Sequence, residues 1–150
     1  KNKKTNYYKM KKILIVKANY YDTISNRLVK TSVNLLKKNK TRISEIEVPG
    51  IFEIPIAIRK NINNFDGFIA LGCVIKGQTP HFELICKATF NAIMSLSITH
   101  NKPIGNGIIT ALNTKQAYER CGIIKSKKQN KGSEASSAVL SILKNGPKKI

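Results

Sequence analysis

The chain has 150 residues, 41% of them hydrophobic, enough for one ordinary domain that buries roughly 70% of the surface its unfolded form exposes. Its 27 basic residues against 8 acidic ones give a formal net charge of +19, and its three cysteines, Cys73, Cys86 and Cys121, form no C-x-x-C pair. Cysteine spacing therefore argues against a disulfide framework or a structural zinc site, and the apolar run Ile13–Val16 is too short for a bilayer span or a signal peptide. The expectation is a soluble cytoplasmic protein that makes no use of a membrane.

The charge alone would suit a nucleic acid or an anionic surface. Much of it sits near the two ends, in Lys1–Lys12 and Lys125–Lys131, beside an excess of asparagine and isoleucine of the kind that A/T-rich codon drift produces. Only Tyr7 and Tyr8 interleave an aromatic ring with the basic stretches, so no base-stacking platform is evident. Salt-dependent, unspecific stickiness is expected, and no specific nucleic-acid partner.

Lys1–Met10 is polar and basic without a period, the composition of a disordered arm or an added edge strand over residues 1–11. From Lys12 onward the pattern reads as a single domain, 12–150. Ile13–Val16 is a short β-branched run, and after Asn19-Tyr20-Tyr21-Asp22 the residues Ile24, Leu28, Val29, Val33, Leu35 and Leu36 recur at helical spacing. Ile43–Val48 reads as a second strand stopped by Pro49-Gly50, and Ile54–Ile62 as a helix with Pro55 tolerated in its first turn. Phe68–Leu71 is a third strand, followed by a glycine-containing loop from Gly72 to Pro80. His81–His100 forms the longest helix, Gly107–Ala111 a fourth strand, Asn113 or Thr114 caps a helix to about Cys121, and Gly132–Leu143 is the last helix. Strands alternating with helices imply a four-stranded parallel sheet with helices on both faces, whose sites lie at the carboxyl ends of the strands.

That rule selects Ala18–Asp22, Val48–Glu53, Gly72–His81 and the stretch leading to Arg120. Glu53 is either a helix-start acid or a carboxylate held out to a ligand. Gly77-Gln78-Thr79-Pro80 before His81 could hold a phosphate on free N–H groups and a hydroxyl. His81 itself would stand at the positive end of a helix, which favours a neutral, proton-accepting ring, although a lone histidine is often only structural. Arg120 either complements a negative helix end or recognises a phosphate as a planar, two-pronged donor.

Taken in order, these segments resemble the lumazine synthases from about Lys12 to Leu143. The resemblance rests on Ala18-Asn19-Tyr20-Tyr21-Asp22, Val48-Pro49-Gly50-Ile51-Phe52-Glu53-Ile54-Pro55, and Ala70-Leu71-Gly72-Cys73-Val74-Ile75-Lys76-Gly77-Gln78-Thr79-Pro80-His81-Phe82. It continues through Pro103-Ile104-Gly105-Asn106-Gly107, Gln116-Ala117-Tyr118-Glu119-Arg120 and Asn130-Lys131-Gly132. The resemblance implies a flavodoxin-like three-layer α/β/α sandwich and a cofactor-free condensation of 5-amino-6-(D-ribitylamino)uracil with 3,4-dihydroxy-2-butanone 4-phosphate. Tyr20 would then stack on the pyrimidinedione, Ile51 and Phe52 line the pocket, and Glu53 accept ribityl hydroxyls. Backbone groups at Cys73, Val74 and Ile75 would bind the pyrimidine edge, Gln78, Thr79 and Arg120 the phosphate, and His81 would carry protons.

The resemblance further implies pockets between subunits of a pentamer, with Asn106 and Lys131 supplied by the neighbour. Two departures stand out: Asn106 replaces an aromatic found in many relatives, and the spacing from Arg120 to Lys131 exceeds that of members forming icosahedral shells. A free pentamer or a pentamer pair is therefore expected rather than a shell. The rivals are a flavodoxin-like flavin carrier, permitted by the sheet order although Ala18–Asp22 is no serine- and threonine-rich phosphate loop, and a basic nucleic-acid-binding domain.

Overall fold

A computed structural model describes residues 9–150. Most of the expected N-terminal arm, residues 1–8, lies outside the described residues. The chain runs β1 (Lys12–Ala18), α1 (Asp22–Lys38), β2 (Arg42–Val48), a 3-10 turn (Ile51–Glu53), α2 (Ile54–Lys60), β3 (Gly67–Ile75), α3 (His81–His100), β4 (Ile104–Ala111), α4 (Thr114–Cys121) and α5 (Lys131–Lys144). The four strands pair in parallel in the order β2-β1-β3-β4. The flavodoxin-like α/β/α sandwich expected from the sequence is the fold observed.

The period of two along each strand divides the core between the two faces of the sheet. Ile13 and Ile15 of β1, Ile69, Leu71 and Cys73 of β3, and Ile109 of β4 pack with Leu28 and Leu36 of α1, Ala117 of α4, and Ala135 and Val139 of α5. Their neighbours Leu14, Val16, Phe68, Ala70 and Ile108 pack on the other face with Ile51, Ile54 and Ile58, and with Cys86 and Ile93 of α3. Each wholly buried leucine or isoleucine contributes roughly 1.5–3 kcal/mol relative to exposure. Among the described residues, no helix is long and apolar enough to cross a membrane.

The caps follow the local sequence. Asn113 accepts from the N–H of Gln116 at the start of α4, and Asn130 accepts from Gly132 and Ser133 at the start of α5, each satisfying first-turn donors that would otherwise stay orphaned. Two expected boundaries differ. The loop predicted from Gly72 is strand as far as Ile75, and β4 begins at Ile104 rather than Gly107. In both places a glycine that reads as punctuation in the sequence is a point of close approach. A Cβ on Gly72 would lie 3.0 Å from both the Ala18 Cβ and the Ile51 Cγ2, and one on Gly105 would lie 2.4 Å from the Ala135 carbonyl oxygen of α5.

All three cysteines are buried free thiols. Burial pushes each of them up, Cys73 to about 12. The thiolate is the reactive form, so the native protein is expected to react with an aromatic disulfide at pH 8 at least ~100-fold more slowly than the chain in denaturant. A fast native thiol in a stopped-flow trace would contradict the packing described here.

The apolar surface of α3 extends beyond its core-facing side. Cys86, Thr89 and Ile93 are buried, while Leu84, Met94 and Ile98 on the same helix remain 69%, 63% and 73% exposed in the lone chain. A helix apolar on more than one side is suited to burial against more than one neighbour.

Candidate active site

Five of the candidate residues line two separate cavities, Phe52, Glu53 and His81 one and Arg120 and Lys131 the other, while Tyr20, Ile51, Cys73, Val74, Ile75, Gln78, Thr79 and Asn106 line neither. The first is lined by Gly50, Phe52, Glu53, His81, Leu84, Ile85 and Ala88, with a volume of about 540 Å³. It lies between the turn after β2 and the start of α3. Pro49-Gly50 ends β2 and a single 3-10 turn follows, so that Ile51 is buried in the core while Phe52 is turned outward, 63% exposed. Glu53 is held by its own turn: its Oε2 accepts from the Gly50 N–H at 3.1 Å. One carboxylate oxygen thus fixes the loop, and the other stays free to accept from a ligand hydroxyl. His81 is the first residue of α3 and is exposed at the same cavity.

The loop before α3 contains Gly77, Gln78 and Thr79, all exposed. Pro80 occupies the N-cap of α3, and among the described residues no side chain caps its first-turn N–H groups. Those donors, at the positive end of a 20-residue helix, are the ordinary means of holding an anion.

β3 overshoots its neighbour. Its register with β1 ends at Lys17↔Leu71, whereas its register with β4 continues to Ile75↔Ala111. Gly72–Ile75 therefore carries main-chain donors and acceptors on the β1 side that no strand residue of β1 pairs. The N–H groups of Phe68 and Lys76 donate toward β4, to the Pro103 and Ala111 carbonyls, so by strand alternation Val74 faces β4 and it is Cys73 and Ile75 whose N–H and C=O groups point to the side that β1 has left.

Tyr20 stands 76% exposed on the β1–α1 loop, with its ring edge-on to Tyr21 at a centroid distance of 5.0 Å. The loop is pinned from beneath, because the Asn19 N–H donates to the Val48 carbonyl at 2.9 Å and the Ser25 hydroxyl to the Ala18 carbonyl at 2.6 Å.

The second cavity, about 370 Å³, is lined by Ile109, Thr110 and Ala111 of β4, Gln116, Glu119 and Arg120 of α4, and by Lys128 and Lys131. It shares no residue with the first. Arg120 and Lys131, singled out separately in the sequence, meet here in one chain. Lys128 joins them, a residue not singled out in the sequence. Glu119 is ion-paired with Lys115 at 3.8 Å, Lys131 lies 3.4 Å from Glu134, and among the described residues Arg120 has no carboxylate partner. The cavity is therefore cationic. Asn106, on β4, directs its Oδ1 to the N–H of Ile108 at 3.1 Å and lines neither cavity.

A parallel α/β sandwich with one apolar and one cationic cavity places the chain in the flavodoxin-like class of α/β proteins. The chain belongs to the 6,7-dimethyl-8-ribityllumazine synthase family, whose model matches residues 10–145, and it is a transferase-type enzyme of riboflavin biosynthesis. It is similar to the 6,7-dimethyl-8-ribityllumazine synthases of Bartonella tribocorum, 42% identical with 87% of both chains covered, and Bartonella henselae, 42% identical with 87% of this chain and 85% of the relative covered. That of Campylobacter jejuni subsp. doylei is 38% identical, with 88% and 87% covered. These similarities lend no support to a flavin carrier or a nucleic-acid-binding module.

Proposed function

We propose that each complete site is assembled from the aromatic cavity of one copy and the cationic cavity of a neighbouring copy. There the enzyme condenses 5-amino-6-(D-ribitylamino)uracil with 3,4-dihydroxy-2-butanone 4-phosphate to 6,7-dimethyl-8-ribityllumazine, releasing phosphate and water. The observation that carries this reading is the separation of the two cavities: Phe52, Glu53 and His81 line one, Arg120 and Lys131 the other, with no lining residue in common. The exposed apolar residues of α3 support burial of this helix between copies. The assembly is a pentamer or a pair of pentamers, acting in the cytoplasm as one domain over residues 12–150.

In this site Tyr20 stacks on the pyrimidinedione, and the main-chain groups of Cys73 and Ile75 on the side that β1 leaves free pair with its N–H and C=O groups, Val74 holding the strand to β4 between them. Phe52 forms the apolar floor, with Ile51 packed in the core beneath the turn, and the free oxygen of Glu53 accepts ribityl hydroxyls. Gln78 and Thr79, in the loop before α3, hold the phosphate on one side, and Arg120 of the neighbouring copy holds it on the other, with that copy's Lys131 and Asn106 closing the site. The substrate amine attacks the ketone and water leaves, giving an imine. Loss of phosphate gives an enol, and ring closure with dehydration completes the bicycle. Each step moves a proton, and His81 is the carrier. No cofactor is required, since the phosphate ester supplies the leaving group. Holding the two substrates together supplies much of the rate.

Subunit mixing tests the assembly. A chain with Phe52→Ala and His81→Ala and a chain with Arg120→Ala and Lys131→Ala are each expected to be nearly inactive. Co-expressed in equal amounts, they should recover about a quarter of wild-type activity, because random neighbours pair two intact halves at that frequency. Lumazine absorbance that stays at the level of the separate variants in verified mixed oligomers would place each site within one chain and end the proposal.

A further inference from the structure

Lys17 is the penultimate residue of β1, and it carries a charge between the apolar run Ile13–Val16 and Ala18 of the same strand. It is only 6% exposed. Its ammonium lies 3.0 Å from a carboxylate oxygen of Asp22, in the first turn of α1, and 3.0 Å from one of Glu47, its register partner on β2. A third contact runs to the Asn26 side-chain oxygen, and the Asn26 amide donates to Asp22 at 3.2 Å. Burial works to lower its pKa, but the hydrogen bonds and charges of Asp22 and Glu47 outweigh it and hold the group above the ordinary lysine range. The cation therefore stays charged throughout the neutral range.

The loop bearing Tyr20 lies between Lys17 and Asp22 and is the span this clamp closes. Its other anchor, Glu47, is three residues before Gly50, where the turn presenting Phe52 and Glu53 begins. One buried ammonium thus ties the end of β1, the end of β2 and the start of α1, the three places from which the two pyrimidine-facing loops depart. A buried cation with two carboxylates and an amide oxygen has little freedom to shift, since any displacement leaves a desolvated charge short of a partner.

We propose that Lys17 is a positioning residue for the ribitylaminouracil half of the site, holding the Tyr20 loop at a fixed distance from the Phe52–Glu53 turn. The proposal rests on the reading of Tyr20 as the platform for the pyrimidinedione. Lys17 touches no substrate, and its effect passes through the loop.

The test is steady-state kinetics on the full oligomer, with each substrate varied in turn, for Lys17→Met, Asp22→Asn and Tyr20→Ala. Lys17→Met keeps the length of the buried stem, and it leaves Asp22 and Glu47 solvated, their side chains 62% and 51% exposed. Lys17→Met and Asp22→Asn are each expected to raise KM for the pyrimidine roughly tenfold, with KM for the butanone phosphate within about twofold of wild type. Tyr20→Ala is expected to do the same, and Lys17→Met/Tyr20→Ala to be no worse than Tyr20→Ala alone. A normal pyrimidine KM in Lys17→Met beside a raised one in Tyr20→Ala would overturn the positioning role while leaving the platform intact. A normal KM in Tyr20→Ala would remove the platform and the proposal with it. Equal losses for both substrates, accompanied by a fall in thermal midpoint, would make Lys17 a general structural residue and also overturn the proposal.

Discussion

Arg120→Ala is expected to raise KM for the butanone phosphate about 100-fold while changing KM for the pyrimidine substrate less than about threefold. Truncating one partner of a charge-assisted, two-pronged contact costs on the order of 2–5 kcal/mol, and the lower part of that range corresponds to two decades in affinity. Lys128 and Lys131 remain in the same cavity, so its attraction for an anion survives while the planar fork is lost. Arg120→Lys should for the same reason recover only part of the loss. Raising the ionic strength should weaken the remaining attraction further, since the cavity is open to solvent. A wild-type dependence of rate on butanone phosphate concentration in Arg120→Ala would remove this residue from phosphate recognition.

The second large effect concerns the scaffold. Gly105→Ala is expected to cost about 3 kcal/mol of stability, and Gly105→Val to prevent folding. The added Cβ would meet the Ala135 carbonyl oxygen at 2.4 Å and the Val139 Cγ2 at 3.0 Å, so β4 and α5 must move apart, and overpacking a well-filled core usually costs 1–3 kcal/mol. The obstacle is main chain in the middle of a helix, which has no rotamer by which to yield, and this places the cost at the upper end. Gly146→Ala serves as the control: nothing lies within 4 Å of the added carbon, and a change below about 0.5 kcal/mol is expected. Urea denaturation compares the two directly. Equal midpoints would show that α5 does not lie as close to the sheet as described. Because Lys131 opens α5, the same substitution should also disturb the cationic cavity.

The long periodic elements were legible from the residues alone. The apolar run of β1, the spacing in α1 and the extent of α3 all matched, because each element has one strong pattern and unambiguous stops. The ends of β3 and β4 were not. Gly72 and Gly105 look like turn residues to a reading based on local propensity, whereas their role is to admit a neighbouring side chain or helix, which only the packed structure reveals. The strand-end rule drew attention to Glu53, His81 and Arg120, and the family resemblance gave them roles beside Phe52, but spacing along the chain could not show that Arg120 and Lys131 line one cavity and His81 another. Lys128 and Lys17 were passed over for different reasons. Lys128 lies in a basic stretch where no single lysine stands out. Lys17 did leave a trace, a lone charge inside Ile13-Leu14-Ile15-Val16-Lys17-Ala18 with an acid five residues on, the mark of an ammonium that is buried and paired.

The four residues by which β3 outruns β1 have an evolutionary meaning as well. Peptide groups are the same for every amino acid, so the edge that we propose recognises the pyrimidine would survive replacement of the side chains that carry it, provided the strand keeps its length. Lineages could exchange residues 73–75 freely among β-formers of suitable bulk, yet a single deletion there would shift the register and abolish the edge outright.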